Sequence, residues 1–219
     1  EYHGLPYSND MWPWHPRYDG LPDDDPKRRE VYPDLPLVEN ATVVDANVTG
    51  KDQENLTQWA TERAVGFIER NAKNPFFLYF AHMYVHLPLY APENLVNASE
   101  NGDYGACVAG VDWVAKVLFD ELKRQGLDEN TLVIFTSDNG SRLDNQGGSN
   151  GDLRGQKGTT WEGGQRVACM MRWPGKIPAG EVLIRGINPE KGVTRMKKNR
   201  DVKNLKNLTN GPAKLTQAL

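Results

Sequence analysis

Thr131-Leu-Val-Ile-Phe-Thr-Ser-Asp-Asn-Gly140 decides the fold class. Leu132 to Thr136 are aliphatic, aromatic or β-branched, as in a strand buried on both faces. The run stops at Ser137-Asp138-Asn139-Gly140, where a carboxylate and a carboxamide precede a residue that permits a sharp turn. Open α/β sheets gather ligands beyond the carboxyl ends of their strands. Two hard oxygen donors there suit a divalent cation such as Ca²⁺ or Mg²⁺. The same residues also read as a plain strand followed by an Asx-turn, so the surroundings decide.

Upstream, a helix is expected over about 105–125, with Val108, Val111, Ala115, Leu118 and Leu122 on one face and Gly126 as its stop. Before it, Phe76-Phe-Leu-Tyr-Phe-Ala81 reads as a second buried strand, and it runs into His82-Met-Tyr-Val-His86-Leu-Pro88. His86 thus lies past its strand as Asp138 lies past its own. An earlier helix is expected over about 52–71, from the apolar spacing of Leu56, Trp59, Ala60, Phe67 and Ile68, with Pro75 beyond it. Residues 1 to about 50 show no lasting period. They read as a long surface segment pinned by Tyr7, Trp12, Trp14 and Tyr18, with a short strand near Pro36-Leu-Val38; the aromatics serve either packing or stacking on a sugar ring.

Downstream, a Gly- and Asn-rich loop leads to Leu153-Arg-Gly-Gln-Lys157-Gly-Thr-Thr-Trp-Glu162-Gly-Gly164. It lacks the spacing of a phosphate-binding P-loop. A third strand, Val167 to Arg172, closes at Trp173-Pro-Gly175. Helices alternating with strands predict an α/β fold with a mainly parallel sheet flanked by helices.

Composition sets the outer bounds. A chain of 219 residues with 38% hydrophobic and 25% charged residues is ordered and soluble, one large domain or two small ones. No apolar run reaches the length of a membrane span, and Glu1-Tyr-His-Gly does not open a signal peptide. Cys107 and Cys169 are isolated, which argues against a zinc cluster. Asn40, Asn47, Asn55, Asn97, Asn139 and Asn207 stand in glycosylation triplets that matter only in a eukaryotic secretory route. From Ile184 to Leu219 nine Lys/Arg face only Glu190 and Asp201, a net +7, which leaves −10 for the rest of a chain whose total is −3.

Together, Gly4-Leu-Pro-Tyr-Ser8, Pro75 to Ala81 with His86-Leu-Pro88, Thr131 to Gly140, Leu153 to Gly164 and Trp173-Pro-Gly175 resemble the sulfatase family of the alkaline-phosphatase superfamily, in its arylsulfatase branch. The resemblance covers residues 1–182. It implies an alkaline-phosphatase-like fold and hydrolysis of a sulfated small molecule or carbohydrate, with no membrane partner. Asp138 and Asn139 would be two ligands of a Ca²⁺ ion. Lys157 would hold the sulfate, and His86 would donate a hydrogen bond to it or to the leaving oxygen. The family's location implies a periplasmic or extracellular protein. A phosphomonoesterase or phosphodiesterase of the same superfamily is the competing activity.

The family's nucleophile is a formylglycine made in a Cys/Ser-x-Pro/Ala-x-Arg motif, which neither cysteine nor any serine of this chain leads. The paired aspartates that complete the family's metal site are also missing. Residues 1–182 therefore read as the C-terminal half of a sulfatase catalytic domain, expected to bind Ca²⁺ poorly and to turn over no sulfate ester unaided. Residues 183–219 instead resemble the alkyladenine (3-methyladenine) DNA glycosylase family, most specifically at Asn210-Gly-Pro-Ala-Lys-Leu-Thr-Gln-Ala-Leu219. That resemblance places Arg185, Gly211 and Lys214 against a DNA backbone, in keeping with the +7 charge. Two partial resemblances meeting near residues 180–184 suggest a gene fusion or a mis-joined sequence.

Overall fold

A computed structural model describes residues 1–143 and 147–177, and the backbone of 181–183. Arg185, Gly211 and Lys214, the tail residues expected against DNA, lie outside the described residues. The chain divides into two compact units, 1–126 and 127–219.

In the first unit, β1 (His3–Gly4), β2 (Leu37–Glu39) and β3 (Thr42–Asp45) form an antiparallel sheet in that order. The expected helix over 52–71 is broken into α1 (Gly50–Gln53) and α2 (Leu56–Asn71). Thr49 starts α1 with a capping box: it accepts from Asp52 N–H, and the Asp52 carboxylate accepts from Thr49 N–H. Helix α2 buries Leu56 together with Thr57, Thr61, Ala64 and Ile68, the last four spaced by three and four, and packs on α4 (Gly102–Arg124). A short α3 (Glu93–Ala98) packs on α4 as well. Gly126 takes φ +70° and returns its N–H to the Lys123 carbonyl, the helix stop expected of it.

Of the N-terminal aromatics expected to pin this segment, Trp12, Trp14 and Tyr18 are packing residues, whereas Tyr7 is 83% exposed and pins nothing. Trp12 is 2% exposed in a core with Leu35, Leu37, Val48 and Leu56, and its ring lies 5.2 Å from Trp14 and 5.9 Å from Tyr90. The irregular chain around them is gathered by buried Arg28. Its guanidinium donates to the carbonyls of Pro22 (2.8 Å), Pro13 (3.2 Å) and Leu21 (2.5 Å), using the fork of donors that only arginine has. Cys107 is buried in α4, and burial pushes its thiol up to about 12, so it is inert at neutral pH.

The expected strand over Phe76–Ala81 has no assigned secondary structure and no ladder. Its alternation is right, since Phe76, Leu78 and Phe80 are half-buried while Phe77 and Tyr79 are 85% and 79% exposed. No strand among the described residues pairs with it.

In the second unit, β4 (Val133–Thr136) pairs antiparallel with β5 (Cys169–Arg172), and β5 pairs antiparallel with β6 (Glu181–Leu183). Between β4 and β5 lies the short helix α5 (Glu162–Gln165). The α/β class stands, but every strand pair among the described residues is antiparallel. Strand β4 finds its neighbour through the glycine-rich excursion 137–168, not through a helical crossover, and a parallel pair needs the crossover. Nor is β4 buried on both faces: Ile134 and Phe135 are 52% and 44% exposed. Arg172 makes a bidentate ion pair with Asp128 at 2.6 and 2.8 Å, holding β5 to the turn before β4.

His82 makes the first unit sensitive to acid. Its Nδ1 accepts the Tyr84 N–H at 3.0 Å, which only an unprotonated nitrogen can do, and its Nε2 is buried without a hydrogen-bond partner. Burial pushes the imidazole down to about 4. The unfolded chain binds this proton near 6.5, so the stability is complete above that pH and is lost as pH falls from 6.5 to 4. The loss amounts to up to about 3 kcal/mol. Urea unfolding of the wild type should show this fall, and His82→Gln should flatten it. An equal fall in both would remove His82 as the cause.

Candidate functional site

Three of the sequence-predicted residues, Asp138, Asn139 and Lys157, come together in one loop cluster of the second unit. Strand β4 delivers the chain to Ser137, whose hydroxyl donates to the Asn139 carbonyl at 2.9 Å and closes the turn. Gly140 N–H then bonds the Gly164 carbonyl at 3.0 Å, and Lys157 N–H bonds the Ser141 carbonyl at 3.1 Å. The donor pair therefore lies one and two residues from a backbone bridge to the glycine-rich motif. Lys157 is itself tied one residue further along, at Ser141.

The motif's glycines are explained by contact. A Cβ on Gly140 would stand 1.8 Å from the Gly163 carbonyl oxygen, and one on Gly163 would stand 2.1 Å from that of Gly155. No real side-chain carbon approaches an oxygen so closely. The Gly-Gly of the motif thus packs backbone on backbone, and it is buried. Within the loop, Thr159 Oγ1 donates to the Gln156 carbonyl at 2.7 Å and Gly163 N–H bonds the Arg154 carbonyl at 2.7 Å. The Arg154 guanidinium lies 3.5 Å above the Trp161 ring.

Sequence reasoning missed the residues that fasten this loop. Gln156 Oε1 accepts the Leu143 N–H at 3.0 Å, and Asn150 reaches across to both Ser141 and Gly155. Neither stands at a periodic position. The one available signal was the habit of Asn to bond nearby backbone groups in irregular chain.

Asp138 is exposed and Asn139 half-buried. As oxygen donors they have the right chemistry for Ca²⁺, which takes six to eight such ligands. Among the described residues, no group of three or more His, Cys, Asp or Glu is placed to hold a metal. The two donors supply only part of such a shell.

His86 belongs to the first unit and is half-buried. Its N–H bonds the Met83 carbonyl at 2.8 Å, and cis peptides fall at Tyr84–Val85 and Leu87–Pro88. The segment is seated by Asn9 Nδ2, which donates to the Pro88 carbonyl at 3.2 Å, and by Tyr84, whose hydroxyl donates to the Tyr90 carbonyl at 2.5 Å. His86 Nδ1 lies 2.7 Å from the Leu87 carbonyl. A carbonyl only accepts, so Nδ1 carries the proton and Nε2 of the neutral ring is an acceptor.

An oxygen-donor pair at a strand end, tied by backbone hydrogen bonds to a lysine-bearing glycine-rich loop, belongs to the class of sites that open sheets form beyond the carboxyl ends of their strands. Comparison with known proteins narrows that class. The family model for sulfatases matches residues 8–208, and the chain belongs to the sulfatase family. It is 44% identical over 135 residues to the N-acetylgalactosamine-6-sulfatase of Canis lupus familiaris, covering 59% of this chain and 26% of that protein. It is 34% identical over 180 residues to an arylsulfatase of Hemicentrotus pulcherrimus, covering 81% of this chain and 31% of that one. A solved sulfatase structure from Pseudoalteromonas sp. superposes with a TM-score of 0.67 at 27% identity, covering 80% of this chain and 38% of that chain. The chain thus spans about a quarter to a third of the length of these curated relatives. The fold is alkaline-phosphatase-like and partial. No helix among the described residues is long and apolar enough to cross a membrane.

Proposed function

We propose that this chain carries part of a site that hydrolyses sulfate esters. The observation behind the reading is the backbone bridge between the Asp138-Asn139 turn and the Lys157 loop, in a chain of the sulfatase family. Lys157 is the cation that holds the sulfate. A charged ammonium in place before reaction stabilises the negative oxygens without reorganising. Asp138 and Asn139 are oxygen donors toward a divalent cation, Ca²⁺ in the family reading, which would polarise the sulfate when bound. His86 donates to the sulfate or to the leaving oxygen. With Nδ1 keeping its proton on the Leu87 carbonyl, Nε2 donates only from the imidazolium.

The nucleophilic step is assigned to no residue here, because the formylglycine motif does not occur in these 219 residues. The substrate class is a sulfated carbohydrate or small sulfate ester, in a periplasmic or extracellular setting. The test is a protein in which this chain follows the upstream part of a sulfatase relative, assayed with 4-nitrophenyl sulfate and 4-nitrophenyl phosphate. Preferential release from the sulfate supports the reading, whereas preference for the phosphate gives the site to a phosphoesterase.

The division at 182/183 and a DNA contact through Arg185, Gly211 and Lys214 are a separate proposal, carried by the +7 charge of the tail. Salt-dependent retention on duplex DNA, lost when Lys197, Lys198 and Lys214 are replaced, is the expected result. No retention at low salt removes it.

A further inference from the structure

The loop cluster around Lys157 is held by one side chain outside the quoted motifs. Asn150 is half-buried, and its carboxamide is fully engaged. Oδ1 accepts the Ser141 N–H at 2.8 Å, and Nδ2 donates to the Ser141 carbonyl at 2.9 Å and to the Gly155 carbonyl at 3.1 Å. The Ser141 carbonyl also accepts the Lys157 N–H at 3.1 Å. One side chain therefore joins the residue two places after Asn139 to the residue two places before Lys157. Both amide protons and the carbonyl oxygen are used, so no smaller or singly functional side chain can replace it.

We propose that Asn150 is a positioning residue for anion recognition, one that sets Lys157 beside the Asp138-Asn139 turn by gripping backbone and without touching the sulfate. The proposal rests on the reading of Lys157 as the sulfate-holding cation.

The full 219-residue chain, with inorganic sulfate as probe, supplies the test. Labelled lysine signals are followed in sulfate titrations at constant ionic strength, with Lys157 assigned through Lys157→Met. Backbone amide exchange is read in the same samples. Asn150→Ala should raise exchange at the Lys157 amide about tenfold, the loss of one ordinary hydrogen bond. It should also weaken the Lys157 response to sulfate about fivefold or more, with β4–β5 amides still protected. Asn150→Asp keeps the bond to Ser141 N–H but loses both donations, and it should follow the alanine variant.

Faster exchange with unchanged sulfate affinity would make Asn150 a loop staple and overturn the proposal. So would unchanged exchange, or loss of β4–β5 protection in both variants, which would make the residue a determinant of folding. If wild-type Lys157 gives no saturable response to sulfate while the exchange effect is present, the sulfate-holding reading fails and the positioning role falls with it.

Discussion

Alanine at Gly140 is expected to pull the Lys157 loop away from the strand end, and alanine at Gly163 to open that loop from within. The new methyl groups would lie 1.8 Å from the Gly163 carbonyl oxygen and 2.1 Å from the Gly155 carbonyl oxygen. Both obstacles are backbone, so relief requires the two segments to part by more than an ångström. Gly140→Ala breaks the Gly140–Gly164 hydrogen bond of 3.0 Å, and Gly163→Ala breaks the Gly163–Arg154 bond of 2.7 Å. Overpacking of this kind costs about 1–3 kcal/mol, and the lost hydrogen bond adds about 1 kcal/mol in each variant. A total of about 3 kcal/mol should lower the melting temperature of the second unit by on the order of 10 °C. Thr160→Ala, at an exposed position of the same motif, should leave it within about 1 °C. Thermal unfolding of the three variants checks this. An unshifted Gly140→Ala would mean that the two segments do not meet as described.

The second large effect concerns chemistry. In a protein that joins this chain to the upstream part of a sulfatase relative, Lys157→Met should lower kcat/KM for a sulfate ester by roughly 10²–10³, the loss seen when one preorganised oxyanion donor is removed. Methionine keeps the length and apolar stem of lysine, so the loss would report charge and not packing. Melting temperature should stay near wild type, because the motif is fixed through the Lys157 backbone and not through its ammonium. A tenfold loss or less, with an unchanged fold, would make Lys157 a solvated cation that merely sits near the site.

Local chemistry was the legible part of this fold. Helix α2 follows from apolar spacing, and Gly126 from its place after the last turn. Helix α4 was legible as a helix, but it buries Ala106, Cys107, Gly110, Val114, Glu121 and Leu122. Only Leu122 of the expected face is therefore buried, and Val108 is 44% exposed. The strand ending in Ser137-Asp138-Asn139-Gly140 follows from its composition. The pairing of strands was not legible. Phe76–Ala81 has the right alternation, but alternation fixes which face a residue takes and says nothing of its neighbours. The run Leu132–Thr136 reads as a two-face-buried strand because it is apolar throughout, yet Ile134 and Phe135 stand half exposed among the described residues.

For the site, the sequence supplied residue types and left out the fastening. Lys157, Asp138 and Asn139 were named from motif and resemblance. That Ser141 bridges them, that Asn150 grips both sides and that Gly163 is required by a carbonyl contact are long-range facts with no periodic trace. His86 was foreseen as a donor; its tautomer is set by a carbonyl one residue away, a local contact that no sequence pattern marks.

The most direct measurement of the central claim is a crystal structure of the joined protein with a bound sulfate ester or inorganic sulfate and Ca²⁺. The account predicts Lys157 Nζ within about 3 Å of a sulfate oxygen, and the Asp138 and Asn139 side-chain oxygens about 2.3–2.6 Å from the metal. The Lys157 N–H to Ser141 bridge should be intact. Sulfate and metal bound elsewhere, with Lys157 turned to solvent, would contradict it.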